Sequence, residues 1–224
     1  GIDTNMAKLI ELIDKDTALV LVQYPDFFGR IVDYKPLIEA AHAHGALVAV
    51  ATNPTALALL TPPGEIGADI VIGEGQPLGI PLSFGGPYLG YFAVTEDLLR
   101  KISGRLVGQT TDMAGNLAYV LTLTAREQHI RRGKATSNIC SNQGLMTLAA
   151  TIYMTVMGKE GFKEVANLCY QKAHFAADQL SQVDGYQLAF ADTPFFHEFV
   201  VKSERPVDEV LEWLRAHDIL GGYD

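Results

Sequence analysis

Residues 68–94 read ADIVIGEGQPLGIPLSFGGPYLGYFAV: a short strand over 69–72, a loop broken by glycine and proline, and a second strand over 88–94. Eight of the chain's 21 glycines and five of its 10 prolines fall between Pro62 and Gly90. Glycine admits positive φ and close backbone approach, whereas proline fixes φ. A long, stiff loop between two apolar strands is where an α/β protein holds a ligand or a partner. The alternative is a pair of tight turns that only connect the strands.

The flanking sequence predicts a parallel α/β layer. Met6, Leu9, Ile10 and Ile13 recur at helical spacing. ALVLV (18–22) and ALVAVA (46–51) are continuous apolar runs, as strands buried on both faces require. Between them Pro36 suits a helix start, Leu37, Ile38, Ala40 and Ala41 form an apolar face, and Gly45 ends it. Strand, helix and strand in roughly thirty residues make a right-handed crossover unit. Residues 54–60 read as helical, and 95–102 as a short helix capped by Thr95. Some strand is expected within 107–123.

Long helices are expected over 142–157, with Leu145, Leu148, Ala149, Ile152 and Val156 on one face, and over 162–183, with a break at Gly158 and Gly161. Residues 195–201 alternate as a half-buried strand, and Pro206 opens a helix whose inner face is Val207, Val210, Leu211 and Leu214. The expected organisation is the later part of a large α/β domain over 1–140, connecting helices over 141–185, and the start of a small α+β domain over 186–224.

The chain has 224 residues, 48% of them apolar and 19% charged, enough to bury a sizeable core. A net charge of −9 argues against a general nucleic-acid surface. No apolar run reaches membrane-spanning length, and GIDTNMAK lacks the shape of a signal peptide. Two cysteines, Cys140 and Cys169, make neither a disulfide framework nor a metal spacing, and thiols in a reducing cytoplasm are the simple reading.

Neither GxGxxG nor GxxxxGK[ST] occurs, and HExxH and GxSxG are also missing. His42 and His44 sit two apart on a helix, a poor spacing for shared ligation, and read as solvent-exposed. His197 and Glu198, adjacent on a strand, should point to opposite faces. No metal site is expected. Two stretches remain. The turn SFGGP (83–87) can present successive N–H groups to an anion, or simply be shaped for packing. The segment TLTAREQHIRRGKATSNICSNQ (122–143) is the one basic concentration: Arg126, Arg131, Arg132 and Lys134 against Glu127, with His129 among them. It reads either as a solvated helix face or, with Thr136, Ser137 and Asn138 poised to cap the following helix, as a site for phosphate or carboxylate.

ADIVIGEGQPLGIPLSFGGPYLGYFAV, LTLTAREQHIRRGKATSNICSNQ and QYPDFFGRIVD (23–33) closely resemble the P-proteins of the glycine cleavage system, in particular amino-terminal-type subunits of the two-subunit form. The resemblance runs over essentially the whole chain, with one departure: Gly133 stands where an acidic residue is expected. It implies the fold of pyridoxal-phosphate-dependent transferases of the aspartate aminotransferase type. It also implies a subunit roughly twice this length, so that the large domain is incomplete and the small one begun.

A pyridoxal enzyme needs a lysine for the Schiff base and an acid for the pyridinium nitrogen. Laying IPLSFGGP on the family's glycine-rich loop puts Gln76 where the lysine should be, and the strand that should end in an aspartate ends in Val50-Ala-Thr52. The resemblance therefore implies no catalytic residue and no covalent cofactor on this chain. It implies an α2β2 partner, a lysine-bearing subunit that binds most of the pyridoxal phosphate, together with glycine as substrate and a lipoylated H-protein. Arg126, His129, Arg131, Arg132, Lys134, Thr136, Ser137 and Asn138 are the residues expected to complete a site across the subunit boundary. The competing readings are a free-standing pyridoxal lyase or aminotransferase, which would need a lysine near Gln76, and a pure interaction module.

Overall fold

The computed structural model describes residues 5–102, 104, 106–135 and 143–224. Its centre is a four-stranded sheet in the order β1 (Leu19–Tyr24), β2 (Leu47–Thr52), β3 (Ile70–Glu74), β4 (Gly90–Val94). The first three strands are parallel, in the register Val22 beside Val50 beside Val71. β4 returns antiparallel to β3, with Ile72 opposite Phe92. The glycine-rich loop thus joins antiparallel neighbours, and the sheet is mixed where a parallel layer was expected.

Helices α1 (Met6–Glu11) and α2 (Lys35–Ala43) cover one face of the sheet, where Leu37, Ile38 and Ala41 pack on Val48 and Val50 beside Ile13, Tyr24 and Tyr34. Pro36 lies in the first turn of α2, as its missing N–H permits. The other face leaves Leu19, Leu21 and Phe92 about half exposed or more. Residues 54–60 form a single 3-10 turn, Ala56–Ala58, and another, Glu96–Leu98, follows Thr95. Thr95 makes no side-chain cap bond, contrary to expectation.

The mixed segment after residue 102 resolves into a hairpin, β5 (Leu106–Thr111) against β6 (Leu117–Thr122), closed by Asp112, whose Oδ1 accepts from the N–H groups of Ala114 and Asn116, each at 2.8 Å. Helix α4 (Gly144–Ser181) merges the two expected long helices across Gly158, whose φ of 59° and ψ of −175° interrupt the helical backbone. On its first half the predicted apolar face is exposed, with Val156 at 78%. Strands β7 (Tyr186–Leu188) and β8 (Val201–Ser203) pair antiparallel, and α5 (Val207–Ala216) follows. Residues 195–200 are not the expected strand: apart from one bridge between Phe195 and Arg30, ladder pairing begins only at Val201.

A second core cluster joins Ala56, Ala166 of α4 and Phe196, with Cys169 packed beside it. Phe196 is 1% exposed, the largest fully buried side chain among the described residues. It seats the segment after β7 against the strand ends of the sheet.

Candidate functional site

The carboxyl ends of β1, β2 and β3 open into a cavity of about 350 Å³. Ligands of open α/β sheets bind at such strand ends. Its floor is Gln23, Ala51, Thr52, Gly73 and Glu74, its loop wall Asn53, Gln76 and Pro77, and its far wall Phe196, His197 and Glu198.

Two glycines set its shape. Gly29, at φ +80°, lets the chain pass so close that an added Cβ would overlap the carbonyl of Glu198. Gly73 does the same for the Tyr91 hydroxyl and the Thr52 carbonyl, which are joined by a 2.6 Å hydrogen bond. Burial pushes the Tyr91 phenol up to about 12, against the pull of that bond.

The glycine-rich loop is latched at its base. Glu74 Oε1 accepts from the N–H of Gln76 at 2.9 Å and from the N–H of Leu89 at 3.0 Å, so one carboxylate oxygen ties both ends of the loop. Gln76 Nε2 then donates to the Ile80 carbonyl at 2.7 Å. At the apex Phe84 sits at φ 48° with its ring fully exposed.

His197 and Glu198 both line the cavity. The strand alternation expected of them does not apply, because the segment is irregular. Burial lowers the His197 pKa, and the neighbouring Glu198 carboxylate opposes this. The signal available in the sequence was a polar pair set inside PFFHEF, where aromatic residues on both sides supply the walls.

Of the expected site residues that are described, only Gln76 lines this cavity. Arg126 instead donates to the carbonyls of Leu99 and Gly104, each at 3.3 Å, with its Nε buried 4.0 Å from Glu127. His129 and Arg131 lie on the short helix α3 (Gln128–Arg131), and they, Arg132 and Lys134 are all exposed. Thr136, Ser137 and Asn138 lie outside the described residues, as does Cys140. Helix α4 starts on Gln143, whose side chain makes no cap bond. His42, read as merely exposed, places Nε2 2.8 Å from Asp69 Oδ2, which also accepts from the Val48 N–H.

Pyridoxal phosphate can be tested against the cavity. An imine needs an amine, and a bound phosphate needs cationic or N–H donors. Gln76 offers an amide, Thr52 at the end of β2 a hydroxyl and not a carboxylate, and among the described residues no lysine or arginine lines the walls. These residues do not fit the cofactor. Among the described residues no group of three or more His, Cys, Asp or Glu side chains is placed to hold a metal ion, and no helix is long and apolar enough to cross a membrane.

The chain is 55% identical over 221 residues to a probable glycine dehydrogenase (decarboxylating) subunit 1 of Desulforamulus reducens, which covers 99% of this chain and 49% of that protein. The corresponding protein of Brevibacillus brevis is equally similar, at 55% over 221 residues, with the same coverage of 99% and 49%. The chain thus spans about half the length of the curated relatives it matches. Among solved structures, a crystal structure of glycine decarboxylase (P-protein) of the glycine cleavage system, in inhibitor-bound form, superposes with a TM-score of 0.88 at 40% identity, covering 93% of this chain and 48% of that one. A sphingosine-1-phosphate lyase from Burkholderia pseudomallei shares the fold alone, with a TM-score of 0.66 at 14% identity, covering 98% of this chain and 48% of that one. The fold is that of the pyridoxal-phosphate-dependent transferases, as expected. The family described as Glycine cleavage system P-protein matches residues 2–220, and with relatives at this identity across 99% of its length the chain belongs to that family.

Proposed function

We propose that this chain is part of the subunit of a cytoplasmic glycine decarboxylase that lacks the Schiff-base lysine and completes an α2β2 enzyme with a lysine-bearing subunit. The observation that carries the reading is Gln76: an amide lines the cavity at the strand ends, in a chain 55% identical to proteins named subunit 1. Glutamine forms no imine, so the covalent chemistry falls to the partner. Pyridoxal phosphate held there supplies the electron sink for decarboxylation of glycine. The aminomethyl group then passes to the lipoyl arm of the H-protein.

In this reading residues 1–140 belong to the large domain, 141–185 connect, and 186–224 begin the small domain. The exposed cations Arg131, Arg132 and Lys134, with Arg126, His129, Thr136, Ser137 and Asn138, belong to the subunit boundary. The exposure of Arg131, Arg132 and Lys134 supports this, since exposed cationic side chains are available to a partner's acids.

The test is glycine-dependent exchange of labelled bicarbonate. The subunit containing this chain is assayed alone, then with the lysine-bearing subunit, pyridoxal phosphate and H-protein. Activity in the mixture only is the expected result. Activity of the subunit alone, with cofactor trapped on it by borohydride, overturns the reading.

A further inference from the structure

We propose that the β5–β6 hairpin is a docking arm for the lysine-bearing subunit. Its face carrying Val107, Leu117, Tyr119 and Leu121, with the cations of α3 at its base, receives an apolar strip bordered by carboxylates. The register puts Val107 beside Leu121, Gln109 beside Tyr119 and Thr111 beside Leu117, so these three pairs share one face. Its four apolar side chains are between 51% and 67% exposed. On the opposite face Leu106, Gly108, Ala118 and Thr122 are half-buried. An antiparallel pair with one side in water ordinarily turns its polar residues outward; here the outward face is the apolar one. Among the described residues the hairpin packs on no other helix or strand beyond marginal contact. A two-stranded ribbon on its own is marginally stable in water and needs a surface to pack on.

The arm is held at both ends. At its tip the Asp112 carboxylate accepts from the N–H groups of Ala114 and Asn116 and from the Asn116 side-chain amide at 3.1 Å. At its base Thr122 Oγ1 donates to the Leu106 carbonyl at 3.0 Å, and Arg126 donates to the carbonyl of Gly104. Asp112 is the only charged residue in 106–122, and the turn occupies it. The face is thus uncharged in a chain of net charge −9, and an apolar surface complements it. The base is the reverse. α3 follows β6 after a single 3-10 turn, Thr124–Arg126, and Arg131, Arg132 and Lys134 stand exposed there. An apolar centre with a polar rim is the anatomy of a protein–protein contact. Charge then decides the occupant. A two-fold contact with a second copy sets this cationic base against the same cations. A different chain, with acids beside its apolar strip, complements both parts of the surface. The inference rests on the subunit reading for the identity of that chain.

The subunit containing this chain is mixed with the lysine-bearing subunit and followed by analytical ultracentrifugation, and each variant subunit is also unfolded alone in urea. Leu117→Ser with Tyr119→Ser removes the centre of the face. It should weaken association by about thirtyfold or more, at low and high salt alike, because lost apolar anchors are not screened. Thr110→Lys, on the opposite face of the same hairpin, should leave association unchanged. Urea midpoints of the isolated subunit should stay at the wild-type value, since all three side chains are exposed. If the double variant is less stable alone, Val107→Lys on the neighbouring strand carries the same test, with at least about tenfold weaker association expected. Undiminished association of the face variants overturns the proposal, as does equal weakening by Thr110→Lys. A lowered urea midpoint with normal association assigns the face to the subunit's own chain. Tetramers that fall to intact one-to-one pairs assign it to a second copy, and intact assembly with a raised KM for H-protein assigns it to that protein. Each of these overturns it too. A wild-type subunit that does not associate, or is active alone, removes the subunit reading and the proposal together. Wild type and face variants that assemble equally remove only the docking arm.

Discussion

The N–H of Phe196 donates to the carbonyl of Gly29 across 3.2 Å, and together with the Ile31 N–H, which donates to the Pro194 carbonyl at 2.7 Å, it holds the segment after β7 on the loop that leaves β1. The same approach places Glu198 where a Cβ on Gly29 would overlap its carbonyl. Gly29→Ala therefore faces both a positive φ and a steric overlap, and should destabilise the protein by about 2 kcal/mol or more. Urea unfolding of the variant beside wild type measures this. An unchanged midpoint would mean that the two segments do not pack as described.

Tyr91 reaches across from β4 to the end of β2. Tyr91→Phe removes its donor to the Thr52 carbonyl and should cost about 1 kcal/mol. The pH dependence has a definite sign. Because the folded phenol is raised to about 12 from its ordinary 10, the neutral form is favoured in the fold. Its stabilisation is fully present below pH 10 and is lost as the pH rises through about 12. Alkaline unfolding should therefore come later for Tyr91→Phe, relative to its stability at neutral pH, than for wild type.

His197 sets an acid-side dependence. Burial lowers its pKa from the ordinary 6.5, so the fold favours the neutral ring. That contribution is present above pH 6.5 and is lost as the pH falls through the lower folded value. Urea midpoints between about pH 7.5 and about pH 5 should fall further for wild type than for His197→Gln. Equal slopes would show that the ring protonates freely.

Much of the fold was legible because the signals were local. The runs at 18–22 and 46–51, the Pro36 helix start and the Gly45 stop all report on neighbours within a turn or two. The direction of β4 was not, because apolar content says nothing about whether a strand returns parallel or antiparallel. The exposure of Leu145, Leu148, Ile152 and Val156 was equally hidden, since an apolar stripe has the same spacing whether or not anything covers it. The site was legible in part. Gln76 stood out against a family pattern, while His197 and Glu198 were discounted because alternation in FFHEFVV suggested a strand that the fold replaces with a packed, irregular segment.

The exposed cations offer a test of assembly. Arg131→Ala with Arg132→Ala should leave the fold of the subunit intact, because both side chains are exposed. It should weaken association with the proposed lysine-bearing subunit, and more strongly at low salt than at high, as contacts between charged surfaces do. Analytical ultracentrifugation of the mixed subunits, with bicarbonate exchange alongside, reads both effects. Unchanged assembly and unchanged exchange would place the subunit boundary elsewhere.

The cavity also predicts what a single substitution cannot restore. Gln76→Lys supplies an amine at the position where the resemblance to the P-proteins implies the Schiff-base lysine. It leaves Thr52 at the end of β2, Glu74 and Glu198 in the walls, and among the described lining residues no lysine or arginine for a phosphate. It also removes the Gln76 bond to the Ile80 carbonyl, at a cost of about 1 kcal/mol to the latched loop. The variant should therefore show no internal-aldimine absorption beyond wild type after incubation with pyridoxal phosphate, and no additional borohydride-reducible adduct. A new yellow species on Gln76→Lys would show that the missing amine was the sole obstacle, and that the walls tolerate a phosphate which their charge argues against.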